Sequence, residues 1–203
     1  MIITIGRQLG SGGRDIGKKL SEKLGIAYYD KELIAIAAKE SGLSEKLFEE
    51  ADEHTRKGLP AGLLNTRFPL FVDSMIGGGW FSNDTFFKIQ SDVIRNLAET
   101  KSCIFIGRCA DYILRERKDL FRIFLSANES DRIRKIMETK NVPAEKARDI
   151  LENTDKKRAA YYNYYTNKTW GSIGGYDVCL NTSLFGIDGT VELIREMVQK
   201  IDL

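Results

Sequence analysis

Gly6, Gly10, Gly12 and Gly13 fall within eight residues of one another, directly after the β-branched run Ile2-Ile3-Thr4-Ile5. Ile16, Leu20 and Leu24 then recur at every fourth position, which is the spacing of one helix face. The order reads as strand, glycine loop, helix. A loop of this kind presents bare backbone N–H groups beside the positive end of a helix dipole, where a phosphate group can sit. The chemistry this predicts is nucleotide binding on Gly10, Ser11, Gly12, Gly13, Arg14 and Asp15.

The usual phosphate loop, G-x-x-x-x-G-K-[ST], is not met. Aligned without gaps through the following helix, Gly13 takes the lysine position and Asp15 the hydroxyl position. Arg14 is the nearest cation, and a guanidinium fork clamps phosphate oxygens in a different geometry from an ammonium. Asp15 either holds Mg²⁺, directly or through water, or simply favours the helix N-terminus. Two rival readings stay open. One is a tight strand-to-helix turn that binds nothing. The other is a dinucleotide site, which Gly10-x-Gly12 begins; its third glycine falls at Asp15, and Asp30 is an early candidate for its acidic partner.

Arg108 follows the apolar run 103–106 and Gly107, so it leaves a strand at its carboxyl end. It either reaches a substrate phosphate or pairs with Asp111. Arg158 follows Asp155 at three residues' distance, in a stretch with more Lys and Arg than Asp and Glu. Arg132 and Arg134 lie in a segment rich in both signs and either close over a transferring group or form a solvated face, with the solvated face favoured. Tyr161, Tyr162, Tyr164 and Tyr165 either stack on a base or pack against the sheet, with packing favoured.

These residues need a scaffold. The 203-residue chain suits a single domain, 42% of its residues are apolar, and its formal charge is +2. Such a near-neutral balance argues against nucleic-acid polymers as partners. Cys103, Cys109 and Cys179 form no CxxC pair, and the lone His54 lies in a charged segment. A reducing compartment is expected. No apolar run reaches membrane-spanning length and no signal peptide precedes the first strand, so the expectation is a cytoplasmic protein without a membrane partner.

The periodicity predicts helices over 15–24, 31–39 and 44–57, one capped by Asp84, one over 128–139, one opened by Pro143, and a closing helix through Val191, Ile194 and Val198. Strands are expected at 2–5, 26–29, 103–106, 121–125 and 178–180. Residues 58–82 are the least periodic. Strands alternating with helices indicate an α/β doubly wound parallel sheet of about five strands.

In this wider context the chain resembles the cytidylate kinases, most closely a divergent cytidylate kinase-like branch of the P-loop nucleoside monophosphate kinases. Residues 5–15 look like that branch's variant phosphate loop. Residues 24–30 resemble the segment leading to the monophosphate site. Ile106-Gly107-Arg108-Cys109-Ala110-Asp111 looks like a Gly-Arg-Asp motif, and Asp155-Lys156-Lys157-Arg158 like an Asp-x-x-Arg lid motif. The sequence departs from the family pattern at Gly13, Ile36, Ile106 and Cys109.

The resemblance implies a P-loop kinase domain over 1–203, with a monophosphate-binding helical insertion at 31–100 and lid helices at 128–170. It implies ATP and Mg²⁺ as cofactors and a small nucleotide as acceptor, CMP or dCMP first. Arg14, Arg108 and Arg158 would be catalytic, Asp30, Arg108, Asp111 and Asp155 would bind substrate, and Asp15 would meet the metal. A nucleotide-binding module without turnover, and a kinase acting on another small molecule, remain alternatives. The sequence leaves the oligomeric state open.

Overall fold

The computed structural model describes residues 1–30 and 83–201. The helices expected at 31–39 and 44–57, the stretch 58–82 and His54 lie outside the described residues. The chain divides into two compact units, Met1–Asp30 with Leu97–Leu203, and Lys31–Asn96. The elements that carry the candidate site belong to the first.

Strand β1 (Ile2–Arg7) leads through a glycine loop into helix α1 (Gly13–Leu24), and β2 (Ala27–Tyr29) follows. Gly25 ends α1 in the left-handed conformation (φ 64°), where a residue with a side chain is strained. Helix α2 (Asn83–Thr100) precedes β3 (Cys103–Ile106). Then come the short α3 (Ala110–Ile113), β4 (Leu120–Ser126), α4 (Glu129–Lys140), α5 (Ala144–Thr166), β5 (Val178–Asn181) and α6 (Thr182–Lys200).

The five strands form one parallel sheet in the order β2-β3-β1-β4-β5. Central β1 pairs Ile3 with Ile104 of β3 and with Phe121 of β4. Its residues Ile2 to Ile5 are all buried, as expected of a strand covered on both faces. Helices α1 and α6 pack together over one face. Ile16, Leu20, Val191 and Ile194 meet Ile3, Ile5, Ile104, Ile106 and Ile123 there, all essentially inaccessible. The chain proceeds from β1 to β3 on one side and to β4 on the other. The carboxyl ends of these strands therefore flank a switch point, the place where open α/β sheets bind ligands.

The structure refines several boundaries. Helix α1 begins two residues earlier than its apolar spacing shows, because Gly13 and Arg14 lie ahead of the buried stripe. Asp84 lies inside the first turn of α2, and Pro143 caps α5. Helix α6 starts at Thr182 and kinks at Gly186 (φ 65°, ψ −179°), so its early part carries none of the periodic apolar residues of its later turns.

Candidate active site at the glycine loop

Three sets of hydrogen bonds hold the loop between β1 and α1. The Gln8 amide donates to the Leu125 carbonyl at 2.9 Å, continuing the β1–β4 ladder. The Ser11 hydroxyl donates to the Gln8 carbonyl at 2.9 Å, closing the loop on itself. The Thr182 hydroxyl lies 3.0 Å from the Ser11 carbonyl and 3.1 Å from that of Ser126, tying the loop to the start of α6. Gly10 has φ 80°, and a Cβ there would come within 2.9 Å of the Arg132 Cα. A bare α-carbon is thus required where α4 touches the loop. The first-turn amides of α1, which have no carbonyl behind them within the helix, open from this bend.

Arg132 holds the loop from the side. Its Nε donates to the Leu9 carbonyl at 2.7 Å and its terminal nitrogen pairs with Asp155. Asp155 accepts the Leu9 amide at 2.9 Å on its other oxygen. The sequence reading of Arg132 as a solvated face is therefore corrected. Only 6% of the residue is exposed, because α4 turns it inward while Glu129 and Arg134 face solvent. Asp155 faces the loop backbone and two arginines, with Arg158 at 3.8 Å.

Four guanidiniums gather beside this brace. Arg158 donates to the Arg7 carbonyl at 3.0 Å. Arg14 lies 3.6 Å from Asp30, at the end of β2. Arg108 completes the set from the end of β3. Burial first, and then the positive charges of Arg158, Arg108 and Arg14, push Arg7 down to about 9. Arg158 is also lowered, mainly by burial; Asp155 counteracts this, and Arg132, Arg14 and Arg108 add to it. An excess of partly desolvated positive charge at one end of a sheet is a receptor for a multivalent anion.

The turn that presents Arg108 is strained. Gly107, Arg108 and Cys109 have φ of 69°, 60° and 56°, three successive left-handed residues of which two carry side chains. The Gly107 amide holds to the Ile5 carbonyl at 3.0 Å, and the Ala110 amide closes onto the Gly107 carbonyl at 3.2 Å. Strain of about 1–3 kcal/mol per such residue is kept where the surroundings over-determine it, often at working sites.

Asp111 lies behind this turn, 8% exposed, and accepts a 2.7 Å hydrogen bond from the Tyr162 hydroxyl. Burial raises the Asp111 carboxyl, with Tyr162 opposing the rise, and burial together with Asp111 raises Tyr162. Tyr162 lies one turn beyond Arg158 on α5, so this bond fixes the helix that carries Arg158. Tyr161 and Tyr164 each meet the Tyr165 ring edge-on, and Tyr164 stays exposed. Burial pushes the Cys109 thiol up to about 12, leaving it unreactive beside Arg108.

On the far side of the loop a cleft of about 320 Å³ lies between Gly10–Gly12, the Asp131, Arg134 and Lys135 face of α4, and the kinked start of α6 at Ser183 and Ile187. Its size is that of a small-ligand site. Asp15 stands nearby in the first turn of α1, half-exposed, with Lys135 at 3.9 Å. Among the described residues no cluster of three or more His, Cys, Asp or Glu side chains could hold a metal ion.

Sequence reasoning missed Arg7 and did not foresee the bracing role of Arg132. Arg7 had a visible signal, a cation at the carboxyl end of the first strand and immediately before the loop. Arg132 had none, since its inward turn follows from how α4 meets Gly10.

Known proteins are similar to this one over almost the whole chain. The cytidylate kinase of Methanothrix thermoacetophila is 28% identical over 202 residues, covering 99% of each chain. The crystal structure of an uncharacterized protein from Eubacterium ventriosum superposes with a TM-score of 0.74 at 26% identity, covering 99% of both. A shikimate kinase from Bacteroides thetaiotaomicron superposes with a TM-score of 0.54 at 14% identity over 98% of both, a likeness of fold. The sheet order, the glycine loop and these neighbours identify a P-loop kinase fold. The profile of the cytidylate kinase-like family spans residues 2–184, and the chain belongs to that family.

Proposed function

We propose that this protein transfers a phosphoryl group from ATP to a nucleoside monophosphate, with CMP or dCMP the first acceptor to test. The observation that carries the proposal is the gathering of Arg7, Arg14, Arg108 and Arg158 around a braced glycine loop at the carboxyl ends of β1 and β3. Phosphoryl transfer asks a protein mainly for positioning and charge neutralisation, and this cluster offers both.

In this reading the amides from Gly10 to Asp15 cradle the donor phosphates. The adenosine end occupies the cleft between α4 and the start of α6. Arg14 binds the outer phosphate oxygens from its exposed position. Arg108 meets the acceptor phosphate, with Asp30 across from Arg14 on the acceptor side. Arg158 stabilises the group in transit. Asp155 positions Arg158, and Asp111 fixes through Tyr162 the helix that carries Arg158. Asp15 would hold Mg²⁺, which would supply neutralisation of phosphate charge.

Coupled ADP release tests the proposal across CMP, dCMP, UMP, AMP, GMP and non-nucleotide hydroxy acids. Turnover highest with a pyrimidine monophosphate is expected, and turnover confined to a hydroxy acid overturns the acceptor assignment. Gly13 at the lysine position favours a second reading, a nucleotide-binding module without turnover. That reading predicts ATP-dependent thermal stabilisation with no ADP release from any acceptor.

A further inference from the structure

Gly13 stands where the P-loop lysine of such folds begins, and the structure shows what fills that space. A Cβ at Gly13 would lie 2.9 Å from both Cβ and Cγ of Arg7. The stem of Arg7 therefore runs across the bare α-carbon of Gly13, along the first step of the path a side chain at position 13 would take. Its guanidinium continues to the end of β3, where a Cβ on Gly107 would overlap its terminal nitrogen. Two glycines and one arginine form a single steric unit. A side chain at either glycine would displace Arg7, and Arg7 in place leaves no room for a lysine at 13.

We propose that Arg7 is a further phosphate-contacting cation of this site, supplied from the end of β1 in place of the lysine absent at position 13. The inference rests on the nucleotide-binding reading above and names the group that completes it.

Three features of the surroundings support the assignment. Arg7 ends the strand that opens the glycine loop, and its backbone is paired with Leu125 of β4. Its carbonyl is held by Arg158, which places a second guanidinium beside it. Its guanidinium faces the like charges of Arg158, Arg108 and Arg14. A charge partly held out of water among like charges is destabilising until an anion joins it. The outer oxygens of a triphosphate supply that anion, and a guanidinium meets two of them at once.

Calorimetric titration with Mg²⁺ and a non-hydrolysable ATP analogue tests this on the full chain. Five proteins are compared: wild type, Arg7→Met, Arg7→Gly, Gly13→Lys and the double variant Arg7→Gly/Gly13→Lys, because only glycine at 7 clears both the Cβ and the Cγ that a side chain at 13 would meet. Met keeps an unbranched apolar stem and removes only the charged fork. The expected result is at least about 30-fold weaker binding in Arg7→Met and in Arg7→Gly, and recovery of at least tenfold when the lysine is added at 13 in the Arg7→Gly background. Gly13→Lys alone, with Arg7 still in its path, should bind more weakly than wild type.

A merely structural arginine would not be rescued by a lysine on a different element. The inference is overturned if wild type binds and Arg7→Met binds within threefold of it. It is equally overturned if the double variant is no better than Arg7→Gly. A wild type that does not bind the analogue refutes the underlying nucleotide reading itself, an outcome distinct from both. Circular dichroism on each variant separates lost folding from lost binding. Should Arg7→Met fail to fold, Arg7→Lys carries the comparison, with weakened binding at unchanged melting expected and unchanged binding contradicting the need for a fork.

Discussion

Asp155 accepts the amide of Leu9 at 2.9 Å across 146 residues of chain, and its other oxygen holds the guanidinium of Arg132. One carboxylate therefore joins α5, α4 and the glycine loop. The loop's shape depends on the helices beside it as much as on its own glycines.

Removing that carboxylate leaves Arg132, 7% exposed at its side chain, without its charge partner. Breaking a buried pair this way costs about 3–5 kcal/mol. Asp155→Ala should melt about 10 °C lower, read by calorimetry. A drop under 3 °C would show that the brace contributes little.

Arg108 holds a left-handed backbone (φ 60°) that glycine adopts without strain. Arg108→Gly should therefore melt no lower than wild type while phosphoryl transfer falls at least about 100-fold, the loss expected when a preorganised charge is taken from a reacting group. A melting temperature reduced by 5 °C or more would mean that the guanidinium stabilises the fold.

Arg14 is 62% exposed at its side chain, and its ion pair with Asp30 is long, so the fold gains little from it. Arg14→Ala should keep its melting temperature within about 2 °C and lose nucleotide-dependent stabilisation. Thermal shift with and without ATP checks both parts. Unchanged stabilisation by ATP would remove Arg14 from the site.

Much of this fold was legible in the sequence because its signals are local. The β-branched run at Ile2, the fourfold spacing from Ile16 to Leu24 and the apolar run at Cys103 each mark an element without tertiary help. The glycine loop and Arg108 were visible for the same reason, since strand ends and turns announce themselves through glycine.

What could not be read depended on distant contacts. Arg132 looks like any charged helical residue until Gly10 brings the loop against its α-carbon. Asp111 looked like a partner for Arg108, but Tyr162, 51 residues away, donates to it. The gap at Gly13 read as a lost lysine, whereas in three dimensions the stem of Arg7 crosses it.

Asp119 supplies a pH signature away from the site. Arg117 grips it through two hydrogen bonds of 2.9 Å, with the Met1 amino group at 3.1 Å, and these lower its carboxyl from the ordinary 3.8 to about 2. A carboxylate with a depressed folded value stabilises above its unfolded value, and the contribution disappears as pH falls toward the folded one. Its partial exposure limits the effect to about 1 kcal/mol. Asp119→Asn should melt a few degrees below wild type at pH 7, with the gap closing between about pH 4 and pH 2. A gap that persists at pH 2 would contradict the ion-pair origin.

The central claim is that the braced loop and its four arginines bind the phosphate chain of a nucleotide. Titration calorimetry of the wild-type protein with Mg²⁺ and a non-hydrolysable ATP analogue, set against adenosine alone, tests it most directly. Saturable one-to-one binding of the analogue is expected, at least about tenfold tighter than adenosine and weakened by added salt. Equal affinity for the two, or no binding of the analogue at millimolar concentration, would contradict it.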